Sequence, residues 1–141
     1  MRGGAGRTES GVGQERKSVL LVVEDDVDMR SLICDELWDL GARVVEAADG
    51  DEAMQKLSGA KPDLILTDLR MPAGGMDHVL RLRTMAPGCP IIVMTAFGDA
   101  ATRETALKCG AAAYFDKPVR MAELKASIKR LLDHRGAQAD K

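Results

Sequence analysis

The feature that most constrains the fold is an alternation between short apolar runs and longer segments with helical spacing. The run Val19–Val23 is continuously apolar and rich in β-branched residues, as in a strand buried on both faces. The runs 64–67 and 91–94 have the same character, a shorter run lies at 44–45, and a fifth run lies at 112–115. A helical pattern of apolar residues follows each run. The sequence therefore predicts five strand–helix units.

Strands that alternate with helices of this length imply parallel β–α–β units with right-handed crossovers. We therefore expect an α/β fold of the (βα)5 type, with a doubly wound, five-stranded parallel sheet and helices on both faces. A length of 141 residues suits one such domain. We place it at residues 18–133, between a Gly-rich, disordered N-terminal arm at 1–17 and a flexible C-terminal tail at 134–141.

Composition argues against several classes of function. A net charge of -2, with one Trp, one Tyr and two Phe, does not favour direct binding of nucleic acid by this domain. The three cysteines form no CxxC pair, which argues against a zinc site and indicates a reducing compartment. No apolar run approaches the ~20 residues of a membrane span, and the N-terminus lacks the apolar segment of a secretory signal. We therefore expect a cytoplasmic domain without a membrane contact.

Side chains that can carry chemistry collect at the carboxyl ends of the predicted strands. The first strand runs into the acidic residues 24–26, the third ends at Asp68, the fourth ends at Thr95, and the fifth runs into Lys117. In an open parallel sheet these ends share one edge, where such folds place their binding sites. We expect carboxylates from two strands to meet a hydroxyl and an ammonium from two others.

This combination of residue types points to phosphoryl chemistry. Carboxylates held close together raise one another's pKa unless a cation joins them, and an all-oxygen ligand set with open positions suits Mg²⁺. A lysine can neutralise phosphate as a point charge, and an aspartate can accept a phosphoryl group as an acyl phosphate. The metal would shield the charge of phosphate as it approaches a carboxylate.

Four segments, VVEDD, DLILTDLRMP, IIVMTA and YFDKP, occur in this order at the strand ends and together resemble the motif set of response regulator receiver domains. The resemblance covers residues 18–132 and implies a three-layer sandwich of the flavodoxin or CheY-like type. It further implies a switch that takes a phosphoryl group from a histidine kinase or a histidine phosphotransfer protein. The altered fourth helix, fifth strand and fifth helix would then control a downstream protein partner or an output domain.

The resemblance also implies a role for each matching residue. Asp68 is the expected phosphoacceptor, Thr95 would hydrogen-bond to the phosphoryl group, and Lys117 would pair with it. The expected Mg²⁺ ligands are four groups: Glu24, Asp25, Asp68 and the main-chain carbonyl of Arg70. Among these, Asp25 would bind directly and Glu24 partly through water. Such a domain is not an enzyme beyond its own phosphorylation and dephosphorylation, and it is compatible with a homodimer that forms on phosphorylation.

Three nearby residues have further implied roles. Asp26 lies one position beyond the acidic pair and is not expected to be a ligand. Tyr114 matches the aromatic switch residue that turns inward when Thr95 moves. The Lys117–Pro118 bond resembles the family's cis peptide, which aims the lysine inward.

The segment after Met71-Pro72 departs from the usual pattern of the family. We align Gly75 with the expected glycine and infer one deleted residue, because this keeps Met76, Val79 and Leu82 on the buried face. The other alignment would bury Arg81, which is costly. The loop over the site should thus be short and Gly-rich, and we expect His78 on the surface of the third helix.

A second departure concerns Arg70 and Phe97, which lie two residues beyond Asp68 and Thr95. Positions of this kind vary within the family and tune how fast the phosphoryl group is lost. Because a bulky Phe97 could hinder an attacking water, we expect slower self-dephosphorylation than in the chemotaxis-type members of the family.

Other functions remain open. A haloacid-dehalogenase-like phosphatase also uses an aspartate nucleophile and Mg²⁺, but it needs an acidic residue where this chain has Arg70. A flavodoxin-like cofactor binder needs a phosphate-cradling loop where the acidic residues 24–26 would repel phosphate. A degenerate receiver that acts as a phosphorylation-independent interaction module would lack an essential residue, whereas none is missing from this chain.

Each site residue also has an ordinary structural explanation when it is taken alone. The acidic residues could cap the first helix, Thr95 could cap the fourth, and Tyr114 could be an ordinary half-buried strand residue.

Overall fold

The computed structural model describes residues 17–96 and 98–139, with side chains described up to residue 135. Apart from Lys17, the expected N-terminal arm lies outside the described residues, and so does Phe97. Within them, strands and helices alternate strictly along the chain: β1 (Val19–Val23), α1 (Val27–Trp38), β2 (Arg43–Ala47), α2 (Gly50–Ala60), β3 (Leu64–Asp68), α3 (Gly75–Met85), β4 (Ile91–Thr95), α4 (Ala100–Lys108), β5 (Ala113–Asp116) and α5 (Met121–Ala139).

The five strands form one parallel sheet in the order β2-β1-β3-β4-β5. The chain winds outward in opposite directions from β1 and β3, so the topological switch point lies between these two strands. All five residues of β1, β3 and β4 are buried, as their continuous apolar runs predict. The predicted fold class is confirmed.

Helices cover both faces of the sheet. One core layer packs α2, α3 and α4 against the sheet through residues such as Leu57, Val79 and Ala106. The second layer packs α1 and α5 against the opposite face through residues such as Leu37 and Ile128. Among the described helices, none combines the length and the apolar character that a membrane crossing requires.

The edge strand β2 is longer than its apolar run suggests. β2 extends from Arg43 to Ala47, and both Arg43 and Glu46 are exposed. Pairing with β1 sets these bounds, because Val19 faces Arg43 and Val23 faces Ala47 across the ladder. An edge strand can carry exposed polar residues on the side away from the core, and such residues do not belong to any apolar run.

The start of α3 agrees with the alignment on Gly75 but corrects the expectation for His78. Val79 and Leu82 are buried and Arg81 is exposed. His78, expected at the surface, is only 1% exposed. Its neighbour in space is the hydroxyl of Thr67, which gives the ring a polar partner inside the core.

The last helix continues past residue 133, where we expected the folded domain to end, and reaches Ala139. The segment expected as a flexible tail from residue 134 is therefore helical up to that point. Arg135 supplies a physical reason, because its Nη1 donates to the carbonyl oxygens of Pro62 at 3.4 Å and Asp63 at 2.7 Å. Main-chain carbonyl groups that are distant in sequence thus stabilise the turn of α5 that contains Arg135.

Candidate functional site

Four neighbouring strands deliver the expected site residues to one edge of the sheet. Glu24 follows β1, Asp68 ends β3, Thr95 ends β4, and Lys117 follows β5. The ladders place Asp68 opposite Met94 and Thr95 opposite Asp116. Parallel pairing therefore sets these carboxyl ends side by side along one edge of the sheet, with the switch point between the ends of β1 and β3.

Three carboxylates form a compact acidic cluster at this edge. Each of Glu24, Asp25 and Asp68 has an oxygen in a group whose members all lie within 4.8 Å of one another. Glu24 is fully buried and Asp68 is 4% exposed, whereas Asp25 is exposed. Burial raises the pKa of Glu24, and the negative charge of Asp68 adds to this. Two carboxylates are thus held in the protein, and the third faces solvent.

Lys117 joins the two buried carboxylates. Its Nζ lies 2.5 Å from Glu24 Oε1 and 2.8 Å from Asp68 Oδ2. Burial by itself would lower the pKa of Lys117, but the hydrogen bonds to Asp68 and Glu24 raise it above its ordinary value. The ammonium therefore stays charged between the carboxylates. The Lys117–Pro118 peptide is cis, as expected from the sequence.

Both oxygens of the Asp68 carboxylate have donors. Oδ2 accepts from Lys117, and Oδ1 accepts from the main-chain N–H of Arg70 at 3.0 Å. The second bond closes a short turn from the end of β3 into the loop that leads to α3. These two contacts orient the carboxylate, and its position at the rim of the sheet leaves it close to the exposed Asp25.

The acidic residues 24–26 divide into two roles. Asp26 caps α1, because its Oδ1 accepts from the N–H of Met29 at 2.9 Å. Glu24 and Asp25 instead belong to the acidic cluster. Helix capping therefore accounts for one residue of the run and leaves the other two for the site.

Arg30 supports the site from α1, and the sequence analysis did not identify it. Its Nη1 donates to the main-chain oxygen of Glu24 at 2.7 Å, and its Nε pairs with Glu46 at 3.0 Å. The guanidinium thus ties the end of β1 to β2. No motif in the sequence marks this residue, because its partner is a backbone carbonyl.

Thr95 and Tyr114 both lie next to Gly98. Thr95 is buried, and the cap of α4 is Asp99, whose carboxylate accepts from the N–H of Thr102. Tyr114 packs against Gly98, where an added Cβ would come within 1.5 Å of the Tyr114 hydroxyl and 2.8 Å of Thr95 Cγ2. Burial raises the pKa of the Tyr114 hydroxyl to about 12. The absence of a side chain at Gly98 therefore lets the phenol reach the surroundings of Thr95.

Comparison with known proteins gives one consistent result. A profile of the family described as response regulator receiver domain matches residues 20–129. The phosphate regulon transcriptional regulatory protein PhoB of Escherichia coli (strain K12) is 37% identical over 116 residues, which are 80% of this chain and 51% of that protein. The transcriptional regulatory protein PrrA of Mycobacterium leprae is 37% identical over 132 residues, or 93% of this chain and 55% of that protein. This chain thus spans about half the length of these curated relatives.

Solved structures agree with the sequence matches. A CheY-like response regulator receiver domain protein from Methanospirillum hungatei has a TM-score of 0.83 and 26% identity, with 87% of this chain and 99% of that chain covered. The receiver domain of NtrX from Brucella abortus has a TM-score of 0.75 and 26% identity, with 81% of this chain and 98% of that chain covered. In both cases nearly the whole of the compared chain superposes on the strands and helices described above.

Proposed function

Because the chain belongs to the response regulator receiver domain family, we propose that Asp68 is its phosphoacceptor and that the transfer depends on Mg²⁺. One observation carries this proposal. The Asp68 carboxylate lies between the Lys117 ammonium and the Arg70 N–H, within a cluster of three carboxylates at the switch point of the sheet. An aspartate oriented in this way can act as a nucleophile toward phosphorus.

The donor set fits Mg²⁺. All the side-chain groups in the acidic cluster are carboxylate oxygens, which suit a hard cation, and exposed Asp25 leaves one side of the cluster open to water and to a phosphate group. We propose that Asp25, Asp68 and the main-chain carbonyl of Arg70 bind the ion directly, and that Glu24 acts partly through water. The bound ion supplies positive charge that reduces the repulsion between Asp68 and an incoming phosphoryl group.

We propose that side chains of this chain carry out the remaining steps. An Asp68 oxygen attacks the phosphorus of a phosphohistidine on a kinase or a histidine phosphotransfer protein. The phosphorus–nitrogen bond breaks, and the imidazole leaves with the electron pair and takes up a proton. Lys117, already within 2.8 Å of Asp68, pairs with the new negative charge, and the hydroxyl of Thr95 donates to a phosphoryl oxygen. We propose that the protein catalyses only this transfer and the later hydrolysis of the acyl phosphate, in which water attacks and aspartate and inorganic phosphate are released.

The output follows from the position of Tyr114. It lies in β5 against Gly98 and beside Thr95, so a movement of Thr95 toward a phosphoryl group frees space for the phenol. We propose that this movement changes the surface formed by α4, β5 and α5, and that a downstream partner or an output domain in the cytoplasm reads the change. Since PhoB and PrrA are transcriptional regulatory proteins, we propose transcription as the process controlled. A homodimer that forms on phosphorylation is part of the same proposal.

Intact mass spectrometry after incubation with acetyl phosphate and Mg²⁺ tests this function. We expect one added phosphoryl group on the unmodified chain, and none with EDTA or in Asp68→Asn. Asp133→Asn, an exposed position on α5, is the matched control and should still be phosphorylated. Phosphorylation of the Asp68→Asn variant to the same extent would contradict the proposal.

A further inference from the structure

His78 is connected to the proposed phosphorylation site through a single residue, Thr67. It belongs to the first turn of α3, it is 1% exposed, and its Nε2 lies 3.1 Å from Thr67 Oγ1. Thr67 is the residue before Asp68, and its hydroxyl donates to the main-chain oxygen of Asp68 at 3.0 Å. A buried polar link thus runs from α3 to the backbone of the phosphoacceptor.

The protons of this link can be assigned from its partners. The Thr67 hydroxyl has one proton, which it gives to the Asp68 carbonyl, so its oxygen accepts from an N–H at His78 Nε2. His78 Nδ1 has no hydrogen-bond partner among the described residues. The opposite tautomer would leave a buried N–H without an acceptor, which is rarer and more costly than a bare ring nitrogen. Burial also lowers the pKa of His78 to about 4, so the ring is neutral.

The carbonyl that Thr67 holds belongs to the peptide unit that begins the turn into the site. The N–H of the same unit, that of Leu69, donates to the Met94 carbonyl at 3.3 Å. The next N–H along the chain, that of Arg70, donates to the Asp68 carboxylate. The orientation of the 68–69 peptide unit therefore determines where the N–H of Arg70 lies relative to the carboxylate of Asp68.

The other side of the imidazole supports the loop above the site. The N–H of Gly50, at the start of α2, donates to the Pro72 carbonyl at 3.1 Å. A Cβ on Gly50 would lie 1.7 Å from the Ala73 carbonyl oxygen and 3.1 Å from His78 Nδ1. The ring thus fills the space where the start of α2, the loop and α3 meet.

We propose that His78 is a positioning residue for phosphoryl transfer: through Thr67 it fixes the peptide unit from which Arg70 orients the Asp68 carboxylate. The inference rests on the proposed function, because it assigns His78 a role in the reaction of Asp68. Among the described residues the hydrogen bond of His78 is to Thr67 and not to the acidic cluster, so its effect on Asp68 passes through the geometry of the turn.

Variants whose side chains differ in length distinguish a positioning role of His78 from a role in core packing alone. In His78→Gln the amide nitrogen lies as many bonds from Cβ as Nε2 does, so it can still donate to Thr67. In His78→Asn the amide nitrogen corresponds to Nδ1 and falls short. Thr67→Val removes the hydroxyl from the other end of the link with little change in shape. Leu82→Ala weakens the core under the same helix and leaves the link intact.

We expect His78→Asn and Thr67→Val to slow phosphorylation by acetyl phosphate by about three- to tenfold, the effect of one lost hydrogen bond. His78→Gln should retain most of the rate. Leu82→Ala should lower the melting temperature and leave the rate unchanged at a temperature where it is folded. The double variant His78→Asn/Thr67→Val should be no slower than either single variant, since both break one link.

A second readout needs neither phosphate nor Mg²⁺. In protein labelled with ¹⁵N, the His78 ring should show the neutral tautomer protonated at Nε2, and the Arg70 amide resonance should shift in His78→Asn and Thr67→Val but not in His78→Gln. Equal rates and an unmoved Arg70 resonance in all variants would overturn the positioning role and leave the proposed function standing. Failure of the unmodified chain to accept a phosphoryl group would instead overturn the proposed function, and this inference with it.

Discussion

His78 differs from the second histidine of the chain, His134, in being buried, and this gives it an effect on stability. Burial, together with the positive charge of Arg81, lowers its pKa from 6.5 to about 4. Between these two pH values the unfolded chain binds a proton that the folded chain does not. His78 therefore contributes stability that is complete above about pH 6.5 and is lost as the pH falls toward 4.

The size of this effect can be predicted. A shift from 6.5 to about 4 corresponds to roughly 3 kcal/mol in the free energy of unfolding over that interval. Urea denaturation of the unmodified chain and of His78→Leu, at several pH values from 7 to 4, measures it. The difference in unfolding free energy between the two proteins should change with pH by about this amount. A difference that stays constant over the range would contradict a buried, neutral His78.

Arg70 allows a test of the expected slow loss of the phosphoryl group. Its side chain is exposed two residues after Asp68, near the open side of the site. If its bulk hinders an attacking water, Arg70→Ala should shorten the half-life of the acyl phosphate severalfold. Phosphate release from phosphorylated protein after removal of the donor measures this, with Arg130→Ala on α5 as the control. An unchanged half-life would remove Arg70 as a cause of slow hydrolysis.

The sequence could predict some residues of the site and not others, and the difference lies in the kind of contact that each residue makes. Glu24, Asp68 and Lys117 follow from their positions at strand ends, because parallel pairing brings those ends together whatever the side-chain details. His78 and Arg30 were not identified, since their partners are a buried hydroxyl and a backbone carbonyl. Contacts of that kind depend on tertiary packing and leave no periodic pattern in the chain.

At the scale of elements, α2 contains two glycines with opposite surroundings. A Cβ at Gly50 would lie 1.7 Å from the Ala73 carbonyl oxygen, whereas a Cβ at Gly59 would meet nothing within 4 Å. Gly50→Ala should therefore push the β3–α3 loop away from the start of α2 and destabilise the domain by more than about 1 kcal/mol. Gly59→Ala should stabilise it by about 0.5–1 kcal/mol, because alanine favours the helical backbone. Thermal and urea unfolding measure both, and equal effects would contradict the contact.

The bounds of elements were predictable where burial sets them. β1, β3 and β4 run through the core, so their apolar residues trace their extent to within one residue. β2 and β5 lie at the edges of the sheet, and their limits come from pairing with β1 and β4. The end of α5 depends on Arg135 reaching the carbonyls that follow α2, a contact between distant parts of the chain. Local patterns cannot show such contacts.

For the molecule as a whole, the acidic cluster, which only folding assembles, should link Mg²⁺ binding to folding. The proposed ion would bind the folded chain, in which Glu24, Asp25 and Asp68 are close, and not the unfolded one. At a Mg²⁺ concentration ten times the Kd, we expect the unfolding free energy to rise by about 1.4 kcal/mol, seen as a higher melting temperature. EDTA and Asp25→Asn should each abolish the increase, and Asp133→Asn should not. An equal increase in Asp25→Asn would place the ion elsewhere.

The architecture of the molecule follows from the alternation of strands and helices, and the switch point then fixes where the chemistry lies. The chain matches only about half the length of PhoB and of PrrA, so in those two proteins the matching region is part of a longer regulator. For the whole molecule we therefore propose that Asp68, at the end of β3 beside the switch point, is the residue that accepts the phosphoryl group.

The most direct test of that claim is to locate the phosphoryl group on the chain. After incubation with acetyl phosphate and Mg²⁺, reduction with borohydride converts an aspartyl phosphate to homoserine, and trypsin releases the peptide 57–70, which contains both Asp63 and Asp68. Fragmentation of this peptide should show homoserine at Asp68 and unchanged aspartate at Asp63. Homoserine at Asp25 or Asp26, or none anywhere in a chain whose mass shows a phosphoryl group, would contradict the assignment of Asp68 as the phosphoacceptor.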